Sequence, residues 1–222
     1  MSENINHILE RFENCGENCE LGFALRKMNN ETAGLLRWAA VSPQALLNLL
    51  NMGYENLYRY ENLVPINENM VEDTLYGLKF HTSFTFKEID GEWVHQLDEN
   101  ARQVAYRQDL SKREYLAKKF WERLEDPQTI FVYKPYPGLP ISEEEVNSIS
   151  NALFAANKRK FNPNLLIVNQ DGNPDTCGNV FQTAPFIYHG VIEKYVNNED
   201  YELFDYAQWK RIMINANEII KT

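Results

Sequence analysis

Thr129-Ile130-Phe131-Val132-Tyr133 and Asn164-Leu165-Leu166-Ile167-Val168 decide the fold class. Each is a short, almost unbroken apolar run, the pattern of a strand covered on both faces. Between them, Ser142-Glu143-Glu144-Glu145 has the form of a capping box, and the helix it opens carries Val146, Ile149 and Leu153 on one side. Strand, helix and strand in that order predict parallel pairing with helices packed on a sheet. Before this unit, Asp98 is placed to cap a helix carrying Ala101, Val104 and Ala105. Ser111-Lys112-Arg113-Glu114 predicts a capping box for another, with Leu116, Ala117, Phe120, Trp121 and Leu124 inward. Beyond it, Asp171-Gly172 turns the chain, short β segments are expected around Val180 and from Ile187 to Val191, and Trp209, Ile212, Met213, Ala216 and Ile220 mark a final helix. The expected class is α/β or α+β: a central mixed sheet with packed helices and one antiparallel hairpin, in a single domain over 1–222.

The hairpin is the clearest β signal. Asp90-Gly91 suits a two-residue type I′ turn between Phe84 to Ile89 and Glu92 to Leu97. The register then sets Ile89 against Glu92, Phe86 against His95 and Phe84 against Leu97, so Phe84, Phe86, Trp93, His95 and Leu97 share an apolar face. His81, extrapolated along the same strand, falls on the more polar face. Nearer the start, Ile5, Ile8, Leu9 and Phe12 predict an amphipathic helix, and Gly34-Leu35-Leu36-Arg37-Trp38 a short buried strand. A guanidinium in that strand calls for a partner, so Arg37 is expected to reach an acid or a bound anion. Ser42-Pro43 starts a helix that Gly53 closes, and a short strand is expected around 57–60. Trp38, Phe84, Phe86 and Trp93 are assigned to the core or its margin.

Composition narrows the function classes. The 222 residues carry a formal net charge of −10, which disfavours nonspecific nucleic-acid binding. Lys112, Arg113, Lys118, Lys119 and Arg123 on one predicted helix, and Lys158-Arg159-Lys160 on another, read as solvated faces, with an anion site as the alternative. No apolar run reaches the ~18 to 20 residues of a membrane span. The N-terminus lacks the basic start and apolar core of a secretory signal, and three cysteines argue for a reducing compartment, so a cytoplasmic location is expected. No GxGxxG, GxxxxGK[ST] or GxSxG occurs, and no cofactor is expected. A zinc site from Cys15, Cys19, Cys177, His81 and His189 has only CxxxC spacing behind it, and no metal is expected.

A thiol–imidazole pair is the stronger constellation. In Gly16-Glu17-Asn18-Cys19-Glu20-Leu21-Gly22, Cys19 precedes a helix whose Leu21, Ala24, Leu25 and Met28 form one face. There the free N–H groups and the helix dipole favour a thiolate; the plain alternative is a small buried residue closing a turn. His81 is the base, and Asp98 or Asn100 on the neighbouring strand is the candidate to orient it, with a helix cap the competing role for Asp98. Asn18, Arg37 and Trp38, with backbone N–H groups at the helix start, are candidates for holding an oxyanion or substrate.

The Gly-Glu-Asn-Cys-Glu-Leu-Gly segment, Arg26, Gly34-Leu35-Leu36-Arg37-Trp38-Ala39, His81 and the stretch from Arg102 to Lys134 together resemble an uncharacterised bacterial domain family catalogued as papain-like cysteine peptidases. The resemblance weakens after about residue 170. It implies a papain-like arrangement with Cys19 as nucleophile and His81 as base, acting on an amide or other acyl bond as hydrolase or acyltransferase. The resemblance also implies an association with glycan-building enzymes. Two departures stand out: Glu13-Asn14-Cys15 replaces a more hydrophobic strand, and no acid directly follows His81. The alternative from a different class is a noncatalytic module that binds a glycan or a protein in cell-surface glycan assembly, suggested by the exposed-looking Tyr and Asn content of 54–69 together with the accompanying enzymes that the resemblance implies. The expected partners are an acyl, peptide or glycan substrate, with no nucleic acid.

Overall fold

The computed structural model describes residues 2–194 and 205–220. In chain order the elements are α1 (Ser2–Leu9), β1 (Phe12–Asn14), α2 (Glu20–Lys27), β2 (Ala39–Ala40), α3 (Pro43–Met52), β3 (Leu63–Asn67), β4 (Met70–Asp73), β5 (Leu78–His81), β6 (Phe86–Ile89), β7 (Glu92–His95), α4 (Glu99–Leu124), β8 (Ile130–Tyr133), α5 (Glu143–Ala156), β9 (Asn164–Gln170), β10 (Val180–Ala184), β11 (Ile187–Ile192) and α6 (Tyr206–Ile219), with one 3₁₀ turn at Tyr60–Asn62.

The mixed α/β architecture follows from the two apolar runs. β8 and β9 pair in parallel, and the main sheet has the order β1-β8-β9-β11-β10, with only β10 antiparallel to its neighbour. Alternation along each strand splits the core into two halves. Ile130, Val132, Leu166 and Val168 pack with residues of α1, α2 and α6; Phe131, Tyr133, Leu165 and Ile167 pack with α3, α4, α5 and a second sheet. Each fully buried Leu or Ile on these faces contributes roughly 1.5 to 3 kcal/mol of transfer free energy, before the conformational entropy that opposes it. The Ser142 capping box is complete on α5, and Ser42 caps α3 with Gly53 at its end.

The long segment between α2 and α4 builds a second, antiparallel sheet of order β2-β5-β4-β3 and the separate hairpin β6–β7. Phe86 opposes His95 and Ile89 opposes Glu92, with Asp90 and Gly91 both at positive φ, as the turn chemistry requires. Phe84 and Phe86 are buried, while Trp38 and Trp93 are half-buried.

Several local expectations are corrected. His81 does not extend the hairpin. It ends β5, whose neighbours are β2 and β4, because the chain breaks at Thr82–Thr85 before pairing resumes at Phe86. Gly34 to Trp38 is a turn rather than a strand. Leu35 and Leu36 are buried as loop residues, and Asn14 Nδ2 donates to the Leu36 carbonyl at 2.8 Å. No strand forms at 57–60; Tyr58 has φ 61° and its N–H donates to Asp73 Oδ2 at 2.7 Å. Ser111 lies inside the 26-residue α4, where continuous packing overrides its capping signal. Phe12 belongs to β1, not to the first helix.

Candidate active-site cleft

The loop after β1 is built by close backbone approach. Cys15 N–H donates to the Val132 carbonyl and Glu17 N–H to the Lys134 carbonyl, so the chain continues along β8 past the strand end. A Cβ on Gly16 would lie 2.6 Å from the Lys134 nitrogen, which only glycine avoids. α2 then starts with Cys19 as its N-cap residue, and Leu21, Ala24, Leu25 and Met28 are buried on one face, as the spacing predicts. The thiol makes no capping hydrogen bond; Asn18 Oδ1 accepts from Glu20 N–H at 3.1 Å instead. This places Cys19 at the carboxyl end of a parallel strand, where open α/β sheets bind ligands.

A cleft of about 490 Å³ opens there. One side is the Glu17-Asn18-Cys19 loop with Ser42 and Tyr136. The other includes Met70, Glu72, Lys79 and His81 of β4 and β5. Alternation explains that second wall: Leu78 and Phe80 are buried, so Lys79 and His81 turn to the opposite, open face. Cys19 and His81 therefore line one cleft although they come from separate sheets and lie far apart in sequence.

The electrostatics differ from the sequence expectation. Burial pushes the Cys19 thiol up to about 11, the opposite direction to that expected at a helix start. Partial desolvation at the cleft wall, and then the Arg113 charge, lower the His81 imidazole from its ordinary value. At neutral pH the two groups rest as a neutral thiol and a neutral imidazole.

Of the remaining candidates, Asn18 lines the cleft, while Arg37, Trp38 and Asp98 do not. Arg37 is buried and donates to the carbonyls of Thr32, Gly22 and Asn30, so backbone oxygens satisfy most of its donors; the acid it faces is Glu31, 3.8 Å away. Trp38 packs edge-on against Phe23 and lies under the Arg26 guanidinium at 4.4 Å. Asp98 is an exposed helix cap, accepting from Ala101 N–H at 2.8 Å, and Asn100 stands in the first turn of α4. Both lost their place beside His81 when β5 left the hairpin register. Glu72 is the carboxylate that shares the cleft wall with His81. Its alternation on β4 carried no sequence signal, because β4 was not expected as a strand.

The three cysteines are dispersed: Cys15 is sealed in the core and Cys177 donates to the Asn173 carbonyl at 3.3 Å. His189 pairs with Asn169 at 2.6 Å. Among the described residues no group of three or more metal-ligating side chains comes together. Tyr54 and Tyr58, expected on the surface, turn inward against Trp121 and Phe80.

Beneath the loop, Glu20 and Lys134 form an ion pair at 3.1 Å with side-chain exposures of 3% and 2%, and Trp209 Nε1 donates to the other Glu20 oxygen at 2.8 Å. Tyr133 donates to Glu17 at 2.9 Å, fixing the start of the loop. No helix among the described residues is long and apolar enough to cross a membrane. Comparison with protein-family models, with curated proteins and with solved structures gives no match.

Proposed function

We propose that this cleft is a thiol active site of the papain-like cysteine peptidase kind, acting on an amide or other acyl bond as hydrolase or acyltransferase. The observation that carries the proposal is that Cys19, at the start of a helix, and His81, on an open strand face, line the same cleft. Papain-like kinship is proposed at the level of this pair. Because both groups rest neutral, His81 takes the thiol proton as Sγ attacks the acyl carbonyl, in the manner of a hydroxyl nucleophile rather than a preformed ion pair. The Asn18 amide, oriented by its carbonyl oxygen on Glu20 N–H, is the side-chain donor for the oxyanion. His81 then returns the proton to the leaving group, and water or an acceptor nucleophile releases the acyl group. Glu72 replaces Asp98 as the acid on the histidine wall.

The test is acylation of the folded protein by p-nitrophenyl acetate, followed by mass spectrometry of the Cys19 peptide. Cys19→Ser is expected to lower acyl transfer by about a thousandfold or more, and His81→Ala by about 10²- to 10⁴-fold. Rates should fall as pH drops through the lowered His81 pKa, since the protonated ring accepts no proton. Wild-type acylation rates in a folded His81→Ala protein would sink the proposal. A second reading is a noncatalytic glycan- or protein-binding module in cell-surface glycan assembly, with which a buried, protonated thiol is compatible. It is the account left standing if both variants keep full cellular function.

A further inference from the structure

A second pocket, of about 400 Å³, adjoins the cleft and shares His81 with it. We propose that it binds a small oxyanion, the phosphate or carboxylate group of an acidic ligand. Its lining holds four cations, Arg26, Arg37, Lys112 and Arg113, against two acids, Glu31 and Asp109, in a chain whose net charge is −10.

The buried guanidinium of Arg113 carries the argument, with the better satisfied Arg37 beside it. Arg37 is 3% exposed and Arg113 7%, and among the described residues the buried Nε of each has no hydrogen-bond partner. Arg113 donates one bond, to the His81 carbonyl at 2.7 Å, and lies over the Phe80 ring at 4.5 Å. Among the described residues no carboxylate reaches ion-pair distance of it. Asp109, one turn earlier on α4, would be the natural partner. Its carboxylate is instead taken by Tyr58 Oη at 3.2 Å, Thr82 Oγ1 at 2.8 Å, Ser83 N–H at 2.7 Å and Ser83 Oγ at 2.8 Å.

A buried guanidinium held away from the nearest acid is costly unless something else neutralises it, and a planar fork with open donors fits an oxyanion. Arg26 and Lys112 are both exposed; Arg26 pairs with Glu31 at 3.2 Å and lies over Trp38, and Lys112 adds a further positive charge to the lining. A ligand anchored here by its anion would extend past His81 into the Cys19 cleft; that last step rests on the proposed acyl chemistry, whereas anion binding does not.

Calorimetric titration of the full chain with inorganic phosphate, and separately with acetate, at low ionic strength tests the site. Saturable one-to-one binding is expected for at least one anion, weakened about tenfold or more by Arg113→Met and several-fold by Lys112→Glu. Preference for phosphate or for acetate identifies the anion. Lys112 is exposed, so its variant carries the test even if Arg113→Met fails to fold. Cys19→Ser should bind as wild type does, which separates this site from the acyl proposal. Absence of saturable binding of both anions, or wild-type affinity in the folded variants, would overturn it.

Discussion

Two buried cations lie near the candidate site and are treated in opposite ways. Lys134 meets Glu20 at 3.1 Å, and Glu20 is further held by Trp209, so charge and hydrogen bonding are matched inside the protein. Arg113 is also buried, but among the described residues its one hydrogen bond goes to a carbonyl and its other contacts are the Phe80 and Tyr58 rings, while the nearby Asp109 is occupied by hydroxyl and amide donors. Glu13 is intermediate: its nearest cation, Arg123, is 3.8 Å away, and burial pushes its carboxyl up to about 7. A matched pair fixes architecture, because removing either member strands a charge. An unmatched charge is better suited to a partner from outside.

The largest effect is expected where matching is complete. Lys134→Met should cost about 3 to 5 kcal/mol by leaving Glu20 buried without its cation, and adding Glu20→Gln should recover much of it. Denaturant unfolding of the single and double variants measures both. A loss below about 1 kcal/mol would show that the pair fixes little.

An intermediate, pH-dependent effect is expected at Glu13. Its folded-state pKa lies above the ordinary carboxylate value of 4.5, so the folded protein binds the proton more tightly than the unfolded chain. This contribution is fully present below the unfolded pKa and is lost as pH rises through about 7. Between pH 5 and 8 the loss is roughly 3 kcal/mol at most, at ~1.4 kcal/mol per pKa unit. Glu13→Gln should flatten that decline in unfolding measured across the range. An unchanged slope would place the titration elsewhere.

The smallest effect is expected at Arg113. Without ligand, Arg113→Met exchanges an unpaired buried charge for an apolar stem of similar length, and stability should stay within about 1 kcal/mol of wild type. A loss as large as that of Lys134→Met would erase the contrast between the two cations and make Arg113 a structural residue.

Much of the framework is legible in the residues themselves. Covered strands at 130–133 and 164–170, the Ser142 and Ser42 caps, the Asp90-Gly91 turn and the face of α2 depend on local periodicity and turn chemistry, which a single sequence contains. Sequence also nominated Cys19 and His81, and offered an anion site as the alternative for the basic residues of α4.

Other features depend on which segments meet. Asp98 was misplaced because strand pairing across the Thr82–Thr85 break is a tertiary choice, and β5 pairs with β2 and β4 instead. Asp109 and Arg113 lie at four-residue spacing on the stripe that buries Ala105, Leu116, Phe120 and Leu124, a signal that charge alone concealed. The protonation state of Cys19 is the clearest case. Its place at a helix start could be read from sequence, but the burial that raises its pKa comes from surrounding segments, since desolvation is a property of everything packed around a group and not of its own helix.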